Sequence, residues 1–244
     1  IRNYTSCYPI NFKAHQKKSC LMEGTSNREN CASLLNVSRE TMLCFDKYLN
    51  LLSDWQEKLN LVGSSTLRDP WTRHILDCGQ LASFIKKKDE KIFDIGSGAG
   101  LPGIILGIMG YKNIVLVESD FKKTVFIIEA LRKCNIQAAV ENKRVEDLEG
   151  MQGKTIVSRA FAPIDKTLFF LSHAITTKTK IFFLKGRAAK EEINNAKIFW
   201  KKNKQNNKND ILIHFDSYNS LSNKDSFIVK CTFKKEKQWK KDQK

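Results

Sequence analysis

No stretch of this chain approaches the roughly 20 consecutive apolar residues needed to cross a bilayer. The longest apolar run, Leu101–Met109, is interrupted by Pro102, Gly103 and Gly107, which argues against a membrane-spanning helix. Cysteine pairs are missing too. The seven Cys stand at 7, 20, 31, 44, 78, 134 and 231 with no C-x-x-C spacing. A disulfide framework or a zinc site needs clustered spacing, so these are read as small buried hydrophobes of a reducing compartment, and no metal is expected. No period recurs, which excludes solenoids, collagen and coiled coils. Acidic residues are absent from positions 1–22, and 178–244 hold seven against eighteen basic ones.

What is present fits a folded protein. Forty-one per cent of the 244 residues are apolar, enough for a sizeable core. The net charge of +16 lies at the two ends, because 23–177 nets only +1. A nearly neutral body with basic ends suits a protein that meets a polyanion at its edges. Lys outnumbers Arg 33 to 9, so an A/T-rich coding sequence would leave the same trace. Residues 1–21 show neither helical nor strand periodicity and lack the apolar core of a secretory signal. Met22 is the expected start, with the preceding stretch either upstream translation or an organellar leader.

The expected organisation has four parts: a disordered or non-native extension over 1–38, a helical region over 39–90, an α/β domain over 91–233 and a basic tail over 234–244. In the second part, Met42, Phe45, Leu49, Leu52, Trp55 and Leu59 recur at spacings of three and four, one face of a helix with Ser38 ahead as N-cap. A second helix is predicted from Pro70 to Phe84. From Lys91 strand and helix alternate. Strands are expected near 92–95, 113–117, 138–140, 155–157 and 181–184, with helices near 121–134, 165–174 and 189–202. Two closing strands, 211–215 and 227–233, are too close for a helical crossover. The pattern predicts a mostly parallel sheet with helices on both faces and an antiparallel last strand. Ligands of such sheets bind at the carboxyl ends of the strands.

That position is occupied by Asp94-Ile-Gly-Ser-Gly-Ala-Gly-Leu-Pro-Gly103. Gly96, Gly98 and Gly100 let backbone amides come close to a ligand. Glu118 closes the next strand and is placed to accept both hydroxyls of a ribose. Leu101 stands where a dinucleotide loop would carry its third glycine. The G-x-G-x-G turn with its acidic partner resembles the S-adenosyl-L-methionine (AdoMet) site of Rossmann-like methyltransferases.

Six further segments occur in order: Trp55 with Asn60-Leu61, Arg73-His-Ile-Leu-Asp77, Gly100-Leu-Pro-Gly103, Arg144-Val-Glu146, Ser158-Arg-Ala-Phe161 and Leu184-Lys-Gly186. Together they closely resemble the RsmG (GidB) family, bacterial-type 16S rRNA guanine-N7 methyltransferases, over roughly 40–233. The resemblance implies an AdoMet-dependent enzyme acting on small-subunit ribosomal RNA, free or in the subunit. It implies AdoMet contacts at Gly96, Leu101, Val145, Glu146 and Arg159. Cys78 departs from the family, standing where Ser is more usual. A cytoplasmic monomer is expected, or an organellar one if the N-terminal stretch is a leader.

Other chemistries leave no trace. No Cys follows the fourth or fifth strand to attack a pyrimidine C5, and Ser158-Arg-Ala-Phe161 replaces the D/N-P-P-Y/F loop of amine methylation. Guanine N7 has a free lone pair and no proton, so alignment suffices; a defunct enzyme, a silent AdoMet- or RNA-binding module, would leave the same residues. Arg159, Lys185 and His74 are the catalytic candidates. Each has a structural alternative. Arg159 contacts the pocket or forms an ion pair, Lys185 holds a phosphate or guanine O6 or is an edge lysine, and His74 with Asp77 lines the pocket or pins a helix. Phe161 stacks on a base or packs in the core. Lys201, Lys202, Lys204, Lys208 and the tail with Trp239 contact phosphate or only solubilise.

Overall fold

The computed structural model describes residues 27–203 and 211–235. Seven strands form one sheet in the order β3-β2-β1-β4-β5-β7-β6. The strands are β1 (Ile92–Ile95), β2 (Ile114–Val117), β3 (Ala139–Glu141), β4 (Thr155–Arg159), β5 (Lys180–Lys185), β6 (Ile211–Asn219) and β7 (Phe227–Lys235). β1 pairs in parallel with β2 and β4, β2 with β3, and β4 with β5. β7 runs antiparallel to both β5 and β6. This is the α/β sheet the alternation predicts.

Each central strand feeds two cores because successive side chains leave opposite faces. Ile92, Ile114, Leu116, Val157, Phe182 and Leu184 join the cluster beneath the N-terminal helices. Phe93, Ile95, Val115, Val117, Ile156 and Phe183 join the other cluster. Both faces are covered, so these strands read as continuous apolar runs and not as alternating ones.

Two helices open the described chain, α1 (Asn27–Leu35) and α2 (Arg39–Gln56). Ser38 caps α2 as expected, its Oγ accepting from the Thr41 N–H at 3.3 Å. The expected second helix is a composite. Trp71–Leu76 takes the wide π form, Asp77–Gly79 is α-helical and Gln80–Ser83 is 3₁₀. α3 (Gly103–Ile108) opens directly from the glycine-rich turn, and the rest follows the prediction with shifted ends: α4 (Phe121–Lys133), α5 (Ile164–Phe170) and α6 (Ala189–Lys202).

Two boundaries are corrected. Residues 27–35 are helical, although they fall within the expected extension. Cys31 and Leu35 are buried, and Arg28 pairs with Asp46 through both carboxylate oxygens at 3.2 and 2.6 Å while lying 5.4 Å from the Trp71 ring centroid. These contacts come from α2 and the π turn, so a mostly polar segment carries no local sign of them. At the other end, Lys234 and Lys235 lie in β7, opposite Leu212 and Ile211; the expected tail therefore begins two residues later. Met22, Lys204, Lys208 and Trp239 lie outside the described residues.

Candidate active site

A cleft of about 750 Å³ opens at the carboxyl ends of β1, β2, β4 and β5. Gly96, Gly98, Leu101, Glu118, Val145, Glu146, Arg159, Lys185 and His74 all line it. The fold thus gathers the expected cofactor contacts and the three catalytic candidates, whereas Gly100, Lys201 and Lys202 do not line the cleft.

The glycine loop has φ of +63° at Gly96 and +56° at Gly98, in the left-handed region that side chains disfavour. The two glycines have different reasons to be there. A Cβ on Gly96 would overlap the Phe161 ring, whereas one on Gly98 would meet nothing closer than a backbone oxygen at 4.0 Å. Gly96 serves packing, and Gly98 keeps cleft space open. Phe161 packs over the loop, 6.0 Å from the Phe170 ring centroid, and still borders the cleft.

Glu118 fixes the loop from the side. Its Oε2 accepts from the Gly98 N–H at 2.8 Å and its Oε1 from the Asp120 N–H at 2.9 Å. Each oxygen retains a further lone pair for a hydroxyl. From beneath, the fully buried Tyr48 of α2 donates to the Ala99 carbonyl at 2.8 Å. Asp94 is also fully buried: its Oδ2 accepts from the Gly103 N–H at 2.8 Å, and burial raises its carboxyl to about 7.

Arg159 ends β4 and crosses to the helical region. Nη2 lies 3.0 Å from His74 Nδ1, Nη1 donates to Cys78 Sγ at 3.4 Å, and Nε is 3.4 Å from Asp77 Oδ2. Asp77 in turn accepts from Ser222 Oγ at 2.7 Å, tying in the β6–β7 connection. The two readings of Arg159 therefore coexist: it borders the cleft and is ion-paired. Cys78 places a thiol against the guanidinium. Burial pushes that thiol up to about 12, with the charge of Arg159 pulling it back.

Two catalytic candidates change role. His74 is completely buried, and burial and the charge of Arg159 lower its pKa to about 3. Its Nδ1 faces Arg159 and its Nε2 lies 3.1 Å from Thr66 Oγ1, so both nitrogens are engaged and no free base remains. Lys185 is 2.8 Å from Glu192 and donates to the Ala162 carbonyl at 2.6 Å, with 10% of its side chain exposed. It pins the loop after β4, and its ammonium does not reach out for a phosphate. Glu192 also accepts from the Ile164 N–H at 3.0 Å, completing that anchor.

Sequence reasoning missed Thr66 and Ser226, both on the cleft wall, and gave no role to Ala160 within the Ser158–Phe161 segment. Ala160 has φ +53°, unusual for a residue with a side chain. No spacing rule signals Thr66 and Ser226, since they arrive from separate connections. Among the described residues no group of three or more His, Cys, Asp or Glu could hold a metal ion, and no helix is long and apolar enough to cross a membrane.

The fold has many solved counterparts. Magnesium protoporphyrin IX methyltransferase from Synechocystis, solved with bound SAM, superposes with a TM-score of 0.52 at 12% identity over 80% of this chain and 98% of that one. Ribosomal protein L11 methylase from Lactobacillus delbrueckii gives 0.50 at 13%, covering 71% and 80%. Such identities establish a shared fold only. The sequence relatives are nearer. Ribosomal RNA small subunit methyltransferase G of Rhodospirillum rubrum is 38% identical over 164 residues, 67% of this chain and 82% of the relative. Its namesake in Rickettsia prowazekii is 34% identical over 166 residues, 68% and 86%. Residues 42–216 match the family described as rRNA small subunit methyltransferase G, GidB, a span that includes most of the cleft. By that match and those identities, the chain belongs to the rRNA small subunit methyltransferase G family.

Proposed function

We propose that this protein transfers the methyl group of AdoMet to N7 of a guanine in small-subunit (16S) ribosomal RNA, directly and without a covalent enzyme intermediate. The observation that carries this reading is the pairing of Gly98 with Glu118. An outward-facing glycine leaves cleft space open beside a carboxylate with lone pairs to spare. This cradle fits a ribose against backbone, as the resemblance to AdoMet sites requires.

In this reading Gly96 and Gly98 supply the close backbone, and Glu118 takes the ribose hydroxyls. Leu101, Val145 and Glu146 wall the site, and Arg159 borders it. When bound, AdoMet supplies a methyl already activated on a sulfonium sulfur. The protein's task is then orientation, which can be worth up to ~7–11 kcal/mol in ideal cases. Among the described cleft residues there is no cysteine, and the histidine has no free lone pair. N7 needs neither, because it carries a lone pair and no proton. Arg159, His74 and Lys185 act as positioning residues that hold the loops after β4 and before β1. In this reading the chain works as a monomer, and in the cytoplasm, where bacterial-type small subunits are found.

The test is direct. Tritiated AdoMet and small subunits lacking the modification should yield labelled 16S RNA, with the label in 7-methylguanosine after digestion to nucleosides. Label in another nucleoside, or only in protein, overturns the acceptor; no label overturns the enzyme.

A further inference from the structure

Four phenylalanines form a continuous strip that starts in the cleft and ends on the outer surface. Phe161 and Phe170 line the cleft with ring centroids 6.0 Å apart. Phe169 lies 5.9 Å beyond Phe170, and Phe199 of α6 meets it edge-on at 6.4 Å. Phe161, Phe170 and Phe199 are half-buried, but Phe169 leaves 60% of its surface exposed. Isolated exposed apolar residues need no explanation, whereas a contiguous run leading out of a site marks a contact surface.

Lysines flank the strip, with Asp165 one turn before Phe169 on the same helix. Lys166 Nζ sits 5.7 Å from the Phe170 ring centroid. Lys202 is exposed one turn after Phe199, on the same side of α6. The strip also adjoins the part of the chain, 178–244, in which eighteen basic residues face seven acidic ones.

We propose that this strip is the track of the single-stranded RNA flanking the acceptor guanine. The proposal rests on reading the cleft as a guanine site. A base brought into a cleft loses its stacking partners, and aromatic faces beside the entrance restore stacking to the neighbours. Single-stranded RNA is held in this way, by bases stacked on aromatic rings with cations along the backbone. Phe169 supplies the exposed ring, and Lys166 and Lys202 face the phosphates. A protein partner would ask only for apolar area, which leucine supplies as well as phenylalanine. The run of rings interleaved with lysine favours nucleic acid.

Substitutions at Phe169 test this, because a ring exposed to this degree adds little to folding. The probe is a fluorescent single-stranded RNA of about a dozen nucleotides, read by anisotropy beside the KM for small subunits. Phe169→Ala should raise both the probe Kd and the KM about five- to tenfold, with AdoMet affinity and melting temperature as in the wild type. Phe169→Trp should restore binding and Phe169→Leu should not. Ile128→Ala, at an exposed apolar position on α4, should change neither. A raised KM in Phe169→Ala that leucine fully restores, with the RNA probe Kd unchanged throughout, overturns the proposal in favour of a protein contact, and an unchanged Kd and KM in Phe169→Ala overturns it outright. If the wild type labels no 16S RNA and Phe169→Ala still weakens the probe, the strip stands and the acceptor assignment falls.

Discussion

His74 Nδ1 lies 3.0 Å from Nη2 of Arg159, and a guanidinium can only donate. The imidazole is therefore the neutral tautomer with its proton on Nε2. That proton points at Thr66 Oγ1 at 3.1 Å, whose own hydroxyl donates to the Gly63 carbonyl at 2.6 Å. One chain of donors thus runs from the end of β4, through the helical region, to the loop that walls the cleft.

This arrangement gives stability a pH signature. The unfolded imidazole titrates near 6.5 and the folded one near about 3. The unfolded state takes the proton first, so the stability His74 supports above pH 6.5 is lost as pH falls toward 3. Asp94 opposes it: burial raises the carboxyl from 3.8 to about 7, so its contribution is full below 3.8 and is lost as pH rises through 7. His74→Gln should flatten the acid limb in urea unfolding between pH 4 and 6.5. Parallel pH curves for the variant and the wild type would remove His74 as its source.

Glu118 holds two backbone N–H groups and, in the proposed function, a ribose. Charge-assisted hydrogen bonds are worth about 1.5–3 kcal/mol each. Glu118→Ala should weaken AdoMet binding at least tenfold by calorimetry and also lower the apo melting temperature, since the Gly98 and Asp120 amides lose their acceptor. Wild-type affinity in a folded variant counts against the ribose role.

The two glycines should separate in a paired experiment. Gly98→Ala places a methyl in open cleft space at a left-handed φ, costing about 1–2 kcal/mol of stability while largely abolishing AdoMet binding. Gly96→Ala drives a methyl into the Phe161 ring and should unfold or severely destabilise the protein. Equal melting temperatures for the two variants would show that the loop tolerates both.

Lys185 anchors, so its loss should appear in stability and not in salt dependence. Lys185→Ala leaves Glu192 partly buried without its cation, a loss of about 2 kcal/mol or more. The slope of log K for RNA against log[salt] should stay as in the wild type. A slope shallower by roughly 0.7–0.9 would restore Lys185 as a phosphate contact.

Ending the chain after Lys235 preserves β7 and removes four Lys, one Glu and one Asp. If the tail meets phosphate, this truncation should raise the KM for RNA and make the salt slope shallower. AdoMet affinity and the choice of nucleotide should not change, because phosphate contacts carry little sequence information. An unchanged slope would leave the tail as a compositional by-product.

Several features are local enough to be legible in the sequence alone. The apolar strands of a sheet covered on both faces, the Ser38 cap, the G-x-G-x-G turn and the acidic end of β2 all follow from neighbours in sequence. The ordered short motifs add the family, and with it Leu101, Val145, Glu146 and Arg159 as expected cofactor contacts beside the Gly98 and Glu118 that the turn itself points to. Tertiary structure alone decided what those residues do there. Whether Lys185 reaches a phosphate depends on Glu192 of another helix, and whether His74 is a base depends on Arg159, 85 positions away. The folding of 27–35 depends on Asp46 and Trp71 in the same way. A side chain's charge state and hydrogen-bond partners are set by burial and by groups distant in sequence. Spacing can place a residue at the cleft, but only packing determines whether its polar atoms are free to act.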